Sequence, residues 1–160
     1  MRFALQKRLA CAIIAIVILL RSEGPAMTRS EFEELVFDRY GVRADYPFEE
    51  DFVTGVFRHS DGKWFAIAMQ ISEKRLGRDG NEEKAVVNLK CAPEVIESLV
   101  GNEPGIYPAY HMNKTHWLTL ALSDCDKETV DWLLLGSYEL TKRRKKCANG
   151  RRKGHTCAKN

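Results

Sequence analysis

Residues 52–71 read FVTGVFRHSDGKWFAIAMQI and carry the clearest fold signal in the chain. The stretch contains two runs rich in β-branched and aromatic residues, and Ser60-Asp61-Gly62 separates them. An Asp-Gly pair between two such runs is typical of a β-hairpin, because both residues tolerate the backbone conformations of a tight turn. The stretch therefore predicts two antiparallel strands.

A helix is predicted before this hairpin. Thr28 and Glu31 have the spacing of a capping box, and Gly41 supplies a stop signal. The apolar residues between them fall at helical spacing: Phe32, Leu35, Val36 and Tyr40. The loop that follows contains Pro47, which prevents the helix from continuing.

The remaining elements complete a two-layer α+β pattern. Residues 84–90 predict a third strand, and Pro93 opens a short helix. Residues 106–112 and 115–122 predict a second hairpin, and a last helix begins near residue 123. The order is helix, three strands, helix, two strands, helix. Hairpin connections favour an antiparallel sheet of about five strands with the helices on one face.

Charge divides the chain into three parts. Residues 27–140, the predicted domain, hold 12 basic and 21 acidic residues, a net charge of −9. Residues 1–26 carry a net charge of +3, and residues 141–160 carry nine Lys and Arg and no acid. The last segment lacks apolar periodicity and is predicted to be a disordered basic tail. The overall charge of +3 therefore conceals an acidic domain with basic ends.

The N-terminal segment has two interpretations. A basic start, a short apolar run and small residues resemble an export signal, and the run is too short for a comfortable membrane span. Alternatively, translation starts at Met27, which directly precedes the first predicted helix. The five cysteines show no regular disulfide pattern, so a cytoplasmic location is expected, with export or membrane anchoring through residues 1–26 as the alternative.

Several blocks of sequence, in order and spacing, resemble the MmcQ/YjbR family of small bacterial proteins. The resemblance covers residues 27–141, and the Tyr-His-Met-Asn-Lys and His-Trp block is its most specific part. The blocks are DYPFEED (45–51), VFRHSDGKWFAI (56–67), VNLKCAPE (87–94), GIYPAYHMNKTHWLTL (105–120) and VDWLLLGSYELT (130–141).

This resemblance implies an α+β fold related in shape to frataxin (CyaY) and to secretion chaperones. It also implies DNA binding by a "double-wing" domain whose two hairpins are the wings. It implies no catalytic residue. The apolar N-terminal segment and the basic tail depart from the compact form of the family.

The candidate contacts to nucleic acid lie on the hairpins and in the tail. Lys and Arg would contact phosphates, Asn would hydrogen-bond a base edge, and Tyr and His would stack or hydrogen-bond. The candidates are Arg58, Lys63, Tyr110, His111, Asn113, Lys114, His116, Arg143, Arg144, Lys145 and Lys146. The plainer interpretation is an ordinary turn, since Asn favours tight turns and Lys at a tip is solvated.

A protein-binding or regulatory module without DNA contact is the alternative function. In that case Tyr107, Tyr110 and Trp117 would be exposed aromatic residues of a protein interface. The two functions differ in one measurable property, because binding to DNA weakens steeply as salt increases.

Enzymatic activity and metal binding are not expected. Cys91, His111 and His116 could suggest a Cys–His nucleophile, but no third orienting group can be recognised. The tail residues Cys147, His155 and Cys157 lack the paired spacing of a structural zinc site, and the acidic run at 49–51 is more simply a solvated loop. No cofactor is therefore expected.

Overall fold

A computed structural model describes residues 26–48 and 53–142. Its helices and strands follow one another in the predicted order, with one added 3₁₀ turn. They are α1 (Arg29–Tyr40), β1 (Gly55–Arg58), β2 (Trp64–Ser72), the 3₁₀ turn (Glu73–Leu76), β3 (Glu83–Lys90), α2 (Pro93–Leu99), β4 (Ile106–Pro108), β5 (Trp117–Ala121) and α3 (Lys127–Thr141). The predicted α+β class is confirmed.

The five strands form one sheet in the order β1-β2-β3-β5-β4, and every neighbouring pair is antiparallel. The long strands β2 and β3 pair from Ala66↔Leu89 to Ser72↔Glu83. Between β1 and β2 the register shifts at Phe57, which lies opposite Ala66, while Arg58 lies opposite Trp64. The shift leaves Phe65 of β2 without a partner on β1, and its side chain therefore faces the helix side of the sheet.

The main core lies between the sheet and the three helices. Strand residues such as Phe57, Leu89 and Leu118 are fully buried there and meet α1 through Phe32 and α3 through Leu134. Such close-packed apolar burial is the dominant stabilising term of a domain of this size. The helices therefore cover only one face of the sheet, as predicted.

The helix ends are set by the expected kinds of cap. Thr28 and Glu31 form the predicted capping box on α1, and Gly41 ends that helix at a φ of 67°. Helix α3 starts later than predicted because Asp126 caps it, accepting hydrogen bonds from the backbone N–H of Thr129 at 2.8 Å and from its hydroxyl at 2.6 Å.

Strand β4 is shorter than predicted and ends at Pro108. After Ala109 the backbone N–H of Tyr110 donates to the hydroxyl of Thr119, at 2.9 Å, instead of continuing the ladder. His111 then adopts a φ of 56°, a left-handed conformation that no strand accommodates. The second hairpin is therefore a short strand pair closed by a broad loop over residues 109–116.

Several predictions fall outside the described residues. These are the apolar segment up to residue 25, the acidic run at 49–51, and the tail from Arg143 onward, including Lys146. Helix α3 extends through the buried Thr141, one residue beyond the predicted domain boundary. None of the helices in the described ranges 26–48 and 53–142 has the length and apolar character of a membrane span.

Candidate binding site on the open sheet face

The face of the sheet opposite the helices carries a second apolar cluster. Its buried members come from the centre of the sheet, and its partly buried members come from surrounding loops. The buried members are Val56, Ile67, Met69, Ile71, Val86 and Ala121. Above them is a cavity of about 720 Å³, which we name the sheet-face hollow. A volume of this size lies within the range of pockets that hold small organic ligands.

Aromatic and flexible apolar side chains form the walls of the sheet-face hollow. On one side Phe48 meets Trp64 edge to face, with ring centroids 6.4 Å apart. On the other side lie Tyr110 and Met112, both packed against the apolar floor. A wall of this composition offers contact area to a flat or aliphatic group.

A buried polar network holds the Tyr110 wall in place. The Thr119 hydroxyl donates to Asn88 Oδ1 at 2.6 Å, and Asn88 Nδ2 donates to the carbonyl of Tyr110 at 2.7 Å. The backbone N–H of Tyr110 closes the ring by donating to Thr119 Oγ1 at 2.9 Å. Since Asn88 and Thr119 are fully buried, these hydrogen bonds are made away from competing water.

We expect Thr119→Val to lower the free energy of unfolding by about 1–3 kcal/mol, because it removes the hydrogen-bond partner of the buried Asn88 Oδ1 and of the Tyr110 backbone N–H. Urea unfolding followed by circular dichroism measures the change. Thr115→Val is the matched control, since Thr115 is exposed in the same loop, and it should change stability by less than about 0.5 kcal/mol. Equal effects of the two substitutions would contradict the role of the network.

Arg75 and His111 pack against Tyr110 and form a ridge with it. The Arg75 guanidinium carbon lies 5.5 Å from the Tyr110 ring centroid, and Arg75 also donates a hydrogen bond to the Tyr110 hydroxyl. The His111 ring meets the Tyr110 ring edge to face at 4.1 Å. The left-handed backbone of His111 is uncommon for a residue with a side chain, and such conformations occur preferentially at functional sites.

A second cavity of about 430 Å³ lies on the other side of this ridge. We name it the basic hollow, because Arg75, His111 and Lys114 contribute to its lining and none of the described lining residues is acidic. Its remaining lining residues come from the end of the 3₁₀ turn and from β4 and the following loop. They are Leu76, Gly77, Tyr107, Pro108, Ala109 and Tyr110.

The second hairpin brings together three of the residues predicted from the sequence, namely Tyr110, His111 and Lys114. Asn113 instead shapes the turn, where its Oδ1 accepts the backbone N–H of Thr115 at 2.8 Å. His116 is exposed and lines neither described hollow. The structure adds Arg75, to which the sequence analysis assigned no role.

The first hairpin does not present its basic residues together at a tip. Arg58 is partly buried, pairs with Asp45 at 3.1 Å and lies 5.4 Å from the Trp64 ring centroid. Lys63 is exposed in the turn. His59 faces the helices, where its Nε2 lies 2.7 Å from the Thr141 hydroxyl. Burial lowers the pKa of His59, which favours the neutral ring. Arg58 is therefore already engaged by Asp45 and Trp64.

Two other expectations about side chains have different outcomes. Trp117 is only 9% exposed, so its predicted place in an exposed aromatic surface is wrong. Cys91, considered above as a nucleophile, is buried, and burial raises its pKa to about 12. Its backbone N–H donates to the carbonyl of His116 at 2.9 Å, which joins these two residues through the main chain.

The sequence match that identifies the family spans this whole site. Residues 37–140 match the YjbR family model. The chain belongs to the YjbR family. The predicted family is thus confirmed, and the matched region runs from α1 into α3 and includes the lining of both hollows.

Similar proteins come from several bacteria. The YjbR-family chain is 37% identical over 118 residues to "Uncharacterized protein YyaQ" of Bacillus subtilis (strain 168), covering 72% of this chain and 99% of that protein. A crystal structure of a Pseudomonas syringae protein matches with a TM-score of 0.70 and 39% identity, over 72% of this chain and 100% of the other. A Deinococcus radiodurans structure described by the domain DUF419 matches with a TM-score of 0.56 and 27% identity, over 74% and 81% of the two chains.

Most cations of the described YjbR-family domain are neutralised by carboxylates. The paired cations are Arg29, Arg39, Arg58, Arg78, Lys84, Lys127 and Lys142. Within residues 26–48 and 53–142, Arg75 and Lys114 form no ion pair with a carboxylate. The basic hollow is therefore a local positive surface on an acidic domain.

The described residues contain no group of three or more His, Cys, Asp and Glu side chains arranged to hold a metal ion. The tail residues Cys147, His155 and Cys157, together with the acidic run at 49–51, lie outside the described ranges.

Proposed function

We propose that this YjbR-family domain binds nucleic acid without catalysing a reaction on it. The observation that supports the proposal best is the basic hollow, which gathers Arg75, His111 and Lys114 around tyrosine side chains without an acidic residue in its described lining. Cations that contact phosphates, next to rings that contact sugars or bases, are the usual components of a nucleic-acid surface.

The second hairpin acts as the only wing in this proposal. Lys114 approaches the phosphate backbone as a point charge, while Arg75 supplies a planar donor group held against Tyr110. The first hairpin makes no phosphate contact in this proposal, since Arg58 already pairs with Asp45 and His59 already faces the helices. The tail residues Arg143, Arg144, Lys145 and Lys146 add charge that strengthens binding without selecting a sequence.

A non-enzymatic role fits the chemistry of Cys91 and Tyr107. The Cys91 thiol has a pKa of about 12 and remains protonated at neutral pH, which makes it a poor nucleophile. Burial also raises the pKa of the Tyr107 hydroxyl in the basic hollow, so that group remains neutral.

Lys114→Ala is expected to weaken binding to duplex DNA about three- to tenfold and to reduce the slope of log K against log salt by about 1, as expected for one lost phosphate contact. Fluorescence anisotropy with a labelled duplex at 50–200 mM salt measures both quantities. Lys63→Ala is the matched control, because Lys63 is an exposed lysine in the turn of the other hairpin, and it should leave both unchanged.

Two outcomes would contradict the proposal. Equal losses in Lys114→Ala and Lys63→Ala would mean that the basic hollow is not the contact surface. Absence of DNA binding even at 50 mM salt would remove the DNA proposal and favour the alternative function, a protein-binding or regulatory module, whose affinity depends much less on salt.

A further inference from the structure

We propose that the sheet-face hollow is a binding site for a small organic anion, a molecule with a flat or aliphatic apolar body and one carboxylate or sulfonate end. The proposal goes beyond nucleic-acid binding, because it concerns the cavity on the opposite side of the Arg75–Tyr110–His111 ridge. It assigns the apolar body to the sheet and the anionic end to Arg75.

The apolar part of the ligand is specified by the floor and walls. Ile67, Met69 and Ile71 line the floor along β2, and Trp64 and Met112 line opposite walls. A cavity of about 720 Å³ with this lining lies in the range that takes small organic molecules. Burying an apolar body there removes both its surface and the hollow's surface from water.

The charge of the ligand follows from Arg75. This residue is the only arginine or lysine in the described lining, and it forms no ion pair with a carboxylate of the described residues. A guanidinium has five N–H donors, and the hydrogen bond to the Tyr110 hydroxyl leaves others available. Stacking on Tyr110 also restricts the side chain, so less conformational entropy is lost when an anion binds.

One carboxylate, Glu83, also borders the sheet-face hollow. It has the same strand parity as Ala85 and Val87, whose side chains belong to the core on the helix side. Alternation along β3 therefore directs Glu83 away from the open face. Among the described residues that line the hollow, Arg75 is therefore the charged group available to a ligand.

The methionines provide a direct test in the full chain. The protein is labelled with ¹³C at the methionine methyl groups and titrated with 8-anilino-1-naphthalenesulfonate, which joins an aromatic body to a sulfonate. Met69 and Met112 line the sheet-face hollow, whereas Met27 is buried on the helix side. We expect the signals of Met69 and Met112 to shift in a saturable way and that of Met27 to stay unchanged.

The charge requirement is tested by substitution. Arg75→Gln should weaken binding of the sulfonate probe about tenfold, through loss of a charge-assisted contact, and should leave binding of the neutral analogue N-phenyl-1-naphthylamine unchanged. Lys74→Gln removes an exposed charge from the same 3₁₀ turn, outside the lining of both described hollows, and should affect neither probe.

The proposal is overturned if the sulfonate probe leaves Met69 and Met112 unshifted, or if it shifts Met27 equally, since the probe would then report loosened structure. It is also overturned if Arg75→Gln and Lys74→Gln have the same effect. Lys114→Ala separates this proposal from the nucleic-acid one, because Lys114 lines only the basic hollow of the two, and its removal should weaken DNA binding alone.

Discussion

Replacing Phe65 with alanine is expected to lower the free energy of unfolding by about 3–5 kcal/mol, a loss comparable with much of the total stability of a small domain. Phe65 is completely buried on the helix side of β2. Its ring lies between Tyr138, at a centroid distance of 5.1 Å, and Tyr40, at 5.8 Å, with His59 at 5.0 Å.

The size of this effect comes from the position of Phe65 between several elements. Removing the ring leaves a cavity among residues of α1, β1 and α3 that regular backbone elements cannot easily fill. His59 is also affected, because the aromatic surroundings that lower its pKa would open to water. The cavity therefore weakens the attachment of both helices to the sheet.

Urea unfolding monitored by circular dichroism measures the loss in Phe65→Ala. Phe37→Ala is the matched control, because Phe37 is 40% exposed on α1 and contacts Arg43 at 4.0 Å from its ring centroid. The control should lose no more than about 1 kcal/mol. Similar losses in the two variants would show that the aromatic cluster around Phe65 is not the stabilising centre of the helix-side core.

Ending the chain after Lys142 is expected to weaken binding to duplex DNA about 100-fold at moderate salt and to reduce the salt slope by several units. The truncation removes eight Lys and Arg, the nine of residues 141–160 less Lys142, while residues 27–140 keep their net charge of −9. Each phosphate contact adds close to one unit of salt dependence, so a loss of several contacts is readily measured.

The same anisotropy titration at 50–200 mM salt measures this effect. A chain of full length in which those eight residues are replaced by Gln is the matched control for length, and it should lose as much affinity as the truncated chain. Unchanged affinity and slope after truncation would contradict the role of the tail. If Lys114→Ala has no effect in the truncated chain, the domain itself contributes no measurable contact.

The elements of the fold follow from local sequence patterns. Asp61-Gly62 predicted the first hairpin, Thr28 and Glu31 predicted the cap of α1, and Pro93 predicted the start of α2. These signals act through the preferences of a few neighbouring residues, so they can be interpreted without knowledge of the tertiary structure. The resemblance to the YjbR family was also carried by contiguous blocks of residues, and the family match confirmed it.

The candidate site was predicted only in part. Tyr110, His111 and Lys114 are near one another in the chain, so the sequence suggested their proximity. Arg75 is 35 residues from Tyr110, and only the pairing of β3 with β5 and of β5 with β4 brings the two side chains together. Alternation along β2 could not predict the side that Phe65 joins, because the register shift opposite Phe57 and Arg58 leaves one extra residue on β2.

The sequence by itself determined the order of helices and strands, the family and the separation of an acidic domain from a basic tail, because these depend on local propensity and composition. The tertiary structure decided which charges remain available. Arg58 forms an ion pair with Asp45, and His59 packs against α3. Arg75 instead lies beside two cavities. Ion pairing and burial depend on contacts between distant residues, and those contacts exist only once the sheet has formed.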